Sequence, residues 1–106
     1  MMANTPKTPY YAVIFTSIRT SGDNDYATMS AKMVSLASKQ VGFLGIESAR
    51  DSIGITVSYW DSLEAIKNWK LNIEHSRARK KGRSDWYEKF KVRICKVERE
   101  YEFDLS

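Results

Sequence analysis

Ser58-Tyr59-Trp60-Asp61-Ser62-Leu63-Glu64-Ala65-Ile66-Lys67-Asn68-Trp69-Lys70-Leu71-Asn72-Ile73-Glu74-His75 decides the fold. It reads as the end of a strand, a helix start and a helix. It carries Trp60, Trp69 and His75, the only histidine of the chain. Asp61 can cap the helix, with Glu64 three residues later, where its carboxylate can bond back to the cap N–H. Trp60 and Ala65 occupy the two positions of a hydrophobic staple. Ile66, Trp69 and Ile73 recur at spacings of three and four, which predicts one apolar face packed on a sheet. At about 100° per residue, His75 lies roughly 180° from Ile66 and off that face, on the side of Asn68, Leu71 and Asn72. Either the helix breaks near Asn72 and redirects the histidine, or this side faces something other than its own core.

Upstream, Ile53 to Trp60 is a strand in which Ile53, Ile55, Val57 and Tyr59 alternate with Gly54, Thr56, Ser58 and Trp60. Asp51-Ser52 is a short turn, and Phe43 to Arg50 is the strand before it, so the two form an antiparallel hairpin. Tyr26, Met29, Met33, Leu36 and Ala37 mark the face of an earlier helix that Asp23, Asn24 or Asp25 can cap and Gly42 ends. Tyr10 to Arg19 is the first strand. Tyr10, Ala12, Ile14 and Ile18 point one way and Tyr11, Val13 and Phe15 the other, so both faces are apolar and both should be covered. Downstream, Gly82 breaks a basic run, Trp86-Tyr87 sit in a short connector, and Phe90 to Phe103 reads as a long final strand. Its apolar parity changes between Ile94 and Cys95, which a bulge or a strand serving two surfaces would explain.

The order is β-α-β-β-α-β, the ferredoxin-like α+β arrangement: an antiparallel sheet with both helices on one face. A second copy is the economical cover for the other face, so a homodimer is expected, with the long last strand reaching the partner. The chain has 106 residues, enough for a single domain over 10–103. Met1 to Pro9 has no apolar signal-peptide core and reads as a flexible tail. With 42% hydrophobic and 28% charged residues the composition is that of an ordinary globular domain, and no apolar run reaches the roughly 20 residues of a membrane span. Cys95 is the only cysteine, which excludes an intramolecular disulfide and a cysteine-based zinc site and favours the cytoplasm. The net charge is +4, and Arg77-Ala78-Arg79-Lys80-Lys81-Gly82-Arg83 carries much of it. No nucleic-acid module surrounds that run, so it reads as a solvated helix end where cations favour the dipole's negative pole.

The chain resembles the antibiotic biosynthesis monooxygenase family of the dimeric α+β barrel group. The resemblance lies in Gly42-Phe43-Leu44-Gly45-Ile46-Glu47, Gly54-Ile55-Thr56-Val57-Ser58-Tyr59-Trp60, Trp69-Lys70 with Glu74-His75, Gly82-Arg83 with Trp86-Tyr87, and Val92-Arg93 with Val97-Glu98-Arg99. It covers nearly everything from Tyr10 to Tyr101. It implies a dimeric barrel and a monooxygenase needing neither metal nor flavin, in which an electron-rich polycyclic phenol supplies the electrons to dioxygen. Such a protein needs an apolar pocket, a base for the phenolic proton and donors for the resulting anion.

His75 has the only side chain whose ordinary pKa suits a base near neutral pH, so it is the candidate catalytic residue. Tyr59, Trp60, Trp69 and Trp86 can wall a flat aromatic ligand, and Asn72 and Arg83 can bind its oxygens. Each has a structural alternative: His75 as a helix-end cap, Trp69 as core on the Ile66/Ile73 stripe, Trp86-Tyr87 as packing at the barrel end. Glu47 is expected to pair with Arg50, Arg93 or Arg99, and Cys95 to be buried and inert. Haem-degrading relatives use an Asn on the first strand, a Trp on the second helix and a later His as iron ligand. Trp69 matches their Trp, but Arg79 falls where their His would sit, and Tyr10–Arg19 contains no Asn. The expectation is a cofactor-free oxygenase acting on a small aromatic metabolite. The alternatives are a non-catalytic ligand-binding or stress-related barrel, and a haem protein with His75 ligating iron from a shifted position.

Overall fold

The computed structural model describes residues 2–22, 25–74 and 86–105. The elements are β1 (Tyr10–Arg19), α1 (Tyr26–Ser38), β2 (Phe43–Arg50), β3 (Gly54–Trp60), α2 (Leu63–Glu74) and β4 (Tyr87–Val97). The sheet order is β2-β3-β1-β4 and every pairing is antiparallel. This is the β-α-β-β-α-β ferredoxin-like fold that the periodicity predicts. No helix among the described residues is long and apolar enough to cross a membrane.

Both helices lie on one sheet face because the register gathers large apolar groups there. Tyr11 pairs with Trp60, and Trp60 with Phe43, so three aromatic side chains share that side. Trp60 is completely buried and its indole N–H donates to Ser58 Oγ at 2.9 Å, which settles its one polar atom. Ala37 of α1 and Ala65 and Ile66 of α2 close over it, with Tyr11, Val13, Phe43 and Trp69 packed around. Ile66 and Trp69 thus share the inward face of α2, as their spacing predicts.

Two local expectations, the cap of α2 and the limits of the last strand, are corrected, and two that the sequence leaves open are narrowed. The cap of α2 is Ser62, not Asp61: Ser62 Oγ accepts the Ala65 N–H at 3.0 Å. The Asp61 N–H is committed to the Gly42 carbonyl at 2.8 Å, which holds Asp61 in the strand-end geometry and passes the cap to the next residue. Asp25 occupies the cap position of α1 with φ 65° and makes no side-chain cap bond; Asp23 and Asn24 lie outside the described residues. The last strand begins at Tyr87, taking in half of the expected connector, and ends at Val97 rather than Phe103. It ends there because Val97 pairs with Tyr10, the first residue of β1, and among the described residues no partner strand lies beyond. The bulges are at Glu88 and Leu44, where the registers shift, and none occurs at Ile94/Cys95. β4 serves two surfaces instead: Ile94 pairs with Val13 on the helix side, and Cys95, half-buried, pairs with Ala12 on the other.

The second sheet face carries Tyr10, Ala12, Val57 and Tyr59. Tyr10 and Ala12 are buried, because the chain's own ends lie over them. Thr5 Oγ1 is 2.8 Å from the Tyr10 hydroxyl and 3.1 Å from Glu100, and Tyr10 donates to the same carboxylate. The Ala3 N–H donates to Glu47 Oε2 at 3.0 Å. Beside this, Met2, Glu47, Ala49, Ile55 and Val57 line an open depression of about 370 Å³.

Candidate functional site

The helix side of the sheet is covered unevenly. α1 packs on β2 and α2 on β3. The same side of β4 stays open, with Val92 49% and Ile94 54% exposed. Register sets Ile94 beside Val13, Val92 beside Phe15 and Phe90 beside Ser17, which makes an apolar floor across β1 and β4.

Aromatic groups stand at both ends of this trough. At one end Trp69 stacks on Trp60, centroids 6.0 Å apart at 26°, and Phe43 meets Trp60 edge-on at 5.5 Å. At the other, Phe15, Tyr26, Trp86, Tyr87 and Phe90 form a chain of ring contacts between 5.2 and 6.1 Å. Such tilted and edge-to-face pairs are the favoured aromatic geometry. Two cations border this second group. Arg19 lies 3.6 Å over the Tyr26 ring and donates to the Trp86 carbonyl at 3.2 Å. Arg50 donates to the Ser17 hydroxyl and carbonyl. Burial, then the hydrogen bond between Tyr87 and Tyr26, pushes the Tyr87 phenol well above its ordinary range, with Arg50 and Arg19 opposing. Tyr87 therefore stays protonated and serves as a donor, not a base.

The structure separates the residues that the sequence groups as a ligand wall. Trp60 and Trp69 stand together, but Trp60 is fully enclosed and presents no surface to a ligand. Trp69 is half-buried and borders the trough. Asn72 is exposed and its amide reaches Gln40 Oε1 at 3.4 Å. Trp86 is buried at the opposite end of β1 from Trp60, roughly 25 Å away at about 3.3 Å per residue. Tyr59 points to the other face, as alternation with Trp60 requires. His75 and Arg83 lie outside the described residues. The sequence alone does not assign Phe15, Tyr26, Phe90, Arg19 or Arg50 to the site. Their only sequence signal is aromatic residues at the far end of β1 and the near end of β4.

Glu47 is paired with tyrosine, not arginine. Tyr59 donates to Glu47 Oε1 and meets Tyr10 edge-on at 5.8 Å. The bond from Tyr59, then that from the Ala3 N–H, holds the Glu47 carboxyl below the usual carboxylate range. Burial, then the bond to Glu47, pushes the Tyr59 phenol up. A carboxyl with a lowered folded-state pKa stabilises the fold above its ordinary pKa and loses that contribution as pH falls through the folded value. Tyr59→Phe should therefore raise the Glu47 pKa toward normal and flatten the acid limb of stability. Carboxyl titration by NMR checks this, and an unshifted Glu47 in the variant would refute it.

No family model matches the chain. The protein YqjZ of Bacillus subtilis is 52% identical over 101 residues, covering 93% of this chain and 89% of that one. Among solved structures, SnoaB of Streptomyces nogalater, a cofactor-independent oxygenase, matches with TM-score 0.75 at 8% identity, over 88% of this chain and 97% of that one. An antibiotic biosynthesis monooxygenase-type protein of Bordetella bronchiseptica matches with TM-score 0.67 at 15% identity, over 90% and 100%. Identity with YqjZ over nearly the whole of both chains, and the shared architecture, lead to one conclusion: the chain belongs to the family of YqjZ, and its fold is that of the antibiotic biosynthesis monooxygenases.

Proposed function

We propose that this protein is a cofactor-independent monooxygenase acting on a small aromatic or polyphenolic metabolite, working as a cytoplasmic homodimer. The observation that carries the reading is the open apolar trough between the helices and β4, aromatic at both ends. A flat polycyclic ring lying over Val13, Phe15, Val92 and Ile94 would bury apolar area and stack at its ends. Arg50 would face its oxygens from the polar end, where an anion needs donors. The substrate supplies the electrons to dioxygen, and the protein supplies the site and a base. Tyr87 does not fit the base, so that role stays with His75. SnoaB, described as cofactor-independent, shares the fold and supports a reaction without a bound group. Exposed Ile18 and Ile55 on the second face support the dimer.

The test is oxygen uptake with a panel of hydroquinones and polyphenols, with tryptophan fluorescence as binding readout. His75→Ala should keep binding and lose about 100-fold or more in turnover, the usual worth of a positioned base. Val92→Arg puts a charge on the trough floor at a half-open position outside the core, and should abolish quenching while leaving the fold intact. Binding without uptake would indicate a non-catalytic ligand-binding barrel. A Soret shift on adding haem, lost in His75→Ala, would indicate a haem protein.

A further inference from the structure

At the polar end of the trough one row of paired residues crosses all four strands. Arg50 of β2 pairs with Gly54 of β3, Gly54 with Ser17 of β1, and Ser17 with Phe90 of β4. Directly paired residues share a face, so the whole row stands on the helix side. The Arg50 side chain lies across β3, and its guanidinium donates to the Ser17 carbonyl at 3.5 Å and to the Ser17 hydroxyl. Gly54 is buried beneath it. A Cβ on Gly54 would fall among the guanidinium atoms, and its three nearest neighbours all belong to that group. Glycine at this position therefore sets where the charge stands.

Arg50 is held by neutral groups. Ser17, which is buried, anchors part of its five-donor fork, and among the described residues no carboxylate pairs with it. Its remaining donors and its charge stay available to an anion. Phe15, Tyr87 and Phe90 meet ring to ring beside Ser17. Burial raises the Tyr87 phenol and Arg50 opposes that push, so its charge is felt among these rings. Neighbouring strands lie about 4.8 Å apart, so a ring resting on Phe90 and Val92 of β4 carries its substituent to the guanidinium over β1. The chemistry favours a carboxylate there. A phenol, with an ordinary pKa of about 10, arrives neutral, whereas a carboxyl group arrives ionised. The planar guanidinium fork also matches two carboxylate oxygens at once.

We infer that Arg50, positioned by Gly54 and Ser17, binds the carboxylate of a planar aromatic acid whose ring lies in the trough over Phe90 and Val92. Arg50 is the binding residue; Gly54 and Ser17 act through it as positioning residues. The apolar floor takes the ring by area, and the guanidinium selects acids over neutral rings of the same shape. A carboxamide is such a ring substituent, and it offers N–H groups to a side chain that can only donate. The inference rests on the trough being the ligand site, as proposed above, and not on the reaction carried out there.

The experiment is calorimetric titration of the full chain with 2-naphthoate and with 2-naphthamide, which match in shape and differ in charge. The acid should bind about tenfold or more tighter than the amide, and the preference should shrink at high salt. The amide should displace the acid, and Val92→Arg should abolish amide binding, which places both in the trough. Arg50→Gln should erase the preference, and Arg50→Lys, which keeps the charge without the fork, should keep part of it. Gly54→Ala moves the guanidinium without removing it. It should reduce the acid-to-amide ratio several-fold while thermal unfolding stays near that of the parent chain, because only the end of a flexible side chain must give way. Equal affinities for acid and amide, or a preference that survives Arg50→Gln, would overturn the inference and leave the trough reading standing. No binding of either compound, or amide binding that Val92→Arg leaves intact, would overturn both. A preference unchanged in Gly54→Ala would overturn the positioning role of Gly54.

Discussion

Trp60→Ala is expected to cost about 3–5 kcal/mol, the range for truncating a fully buried tryptophan. No other side chain holds so much of this core. Trp60 is 0% exposed, meets Phe43 and Trp69 ring to ring, and lies under Ala37, Ala65 and Ile66. Its removal leaves a cavity against two helices and two strands, and the small alanines around it cannot move in to fill the space. For a domain of this size, each kcal/mol lowers Tm by about 4–8 °C, so the loss should be on the order of 20 °C. Urea unfolding followed by circular dichroism checks it, since the substitution removes a fluorophore. Trp60→Phe separates packing from hydrogen bonding. It keeps most of the ring contacts, frees Ser58 Oγ, and should cost about 1–2 kcal/mol. A loss below about 1 kcal/mol in the alanine variant would show that the core collapses around the gap.

Gly42→Ala should be almost as damaging, although it adds a single methyl group. Gly42 has φ +89°, and a Cβ there would come within 2.5 Å of Asp61 Oδ1 and 2.6 Å of Ala65 Cβ. Ala65 cannot retreat, because it is buried beside Trp60 on α2. The Asp61 backbone cannot shift without losing its bond to the Gly42 carbonyl. Backbone strain and overpacking together should cost about 2–5 kcal/mol. Gly22→Ala is the control. Its φ is +80°, but nothing lies within 4 Å of the added Cβ, so only the conformational cost of about 1–2 kcal/mol applies. Equal losses in the two variants would mean that the contact with α2 yields, leaving backbone conformation as the whole effect.

The order of elements and most strand limits were legible because they depend on local alternation. Alternation marks Tyr10–Arg19 and Phe43–Arg50 to the residue, and β3 to within one. Misreadings came where two local solutions were equally good. Asp61 and Ser62 are both good caps, and only the distant Gly42 carbonyl decides between them. Alternation continues through Tyr101 and Phe103, but a strand needs a neighbour, and β1 provides none past Tyr10. The basis of the site was legible only in part. Alternation alone puts Tyr59 and Trp60 on opposite faces. That Trp60 is sealed, that Trp86 stands at the far end of the sheet, and that Phe15, Tyr26, Tyr87 and Phe90 meet, depends on pairings between segments far apart in the chain.

By itself, then, the sequence determined the β-α-β-β-α-β order, the apolar stripe of α2 and the family likeness. Each is written in residues a few positions apart, whose spacing sets which side of an element they share. The tertiary structure alone decided which aromatic groups are core and which are surface, where the open trough lies, and which edge of the sheet is unpaired. Those properties belong to the register between strands and to the placement of the helices over β2 and β3, which leaves β4 uncovered on the helix side.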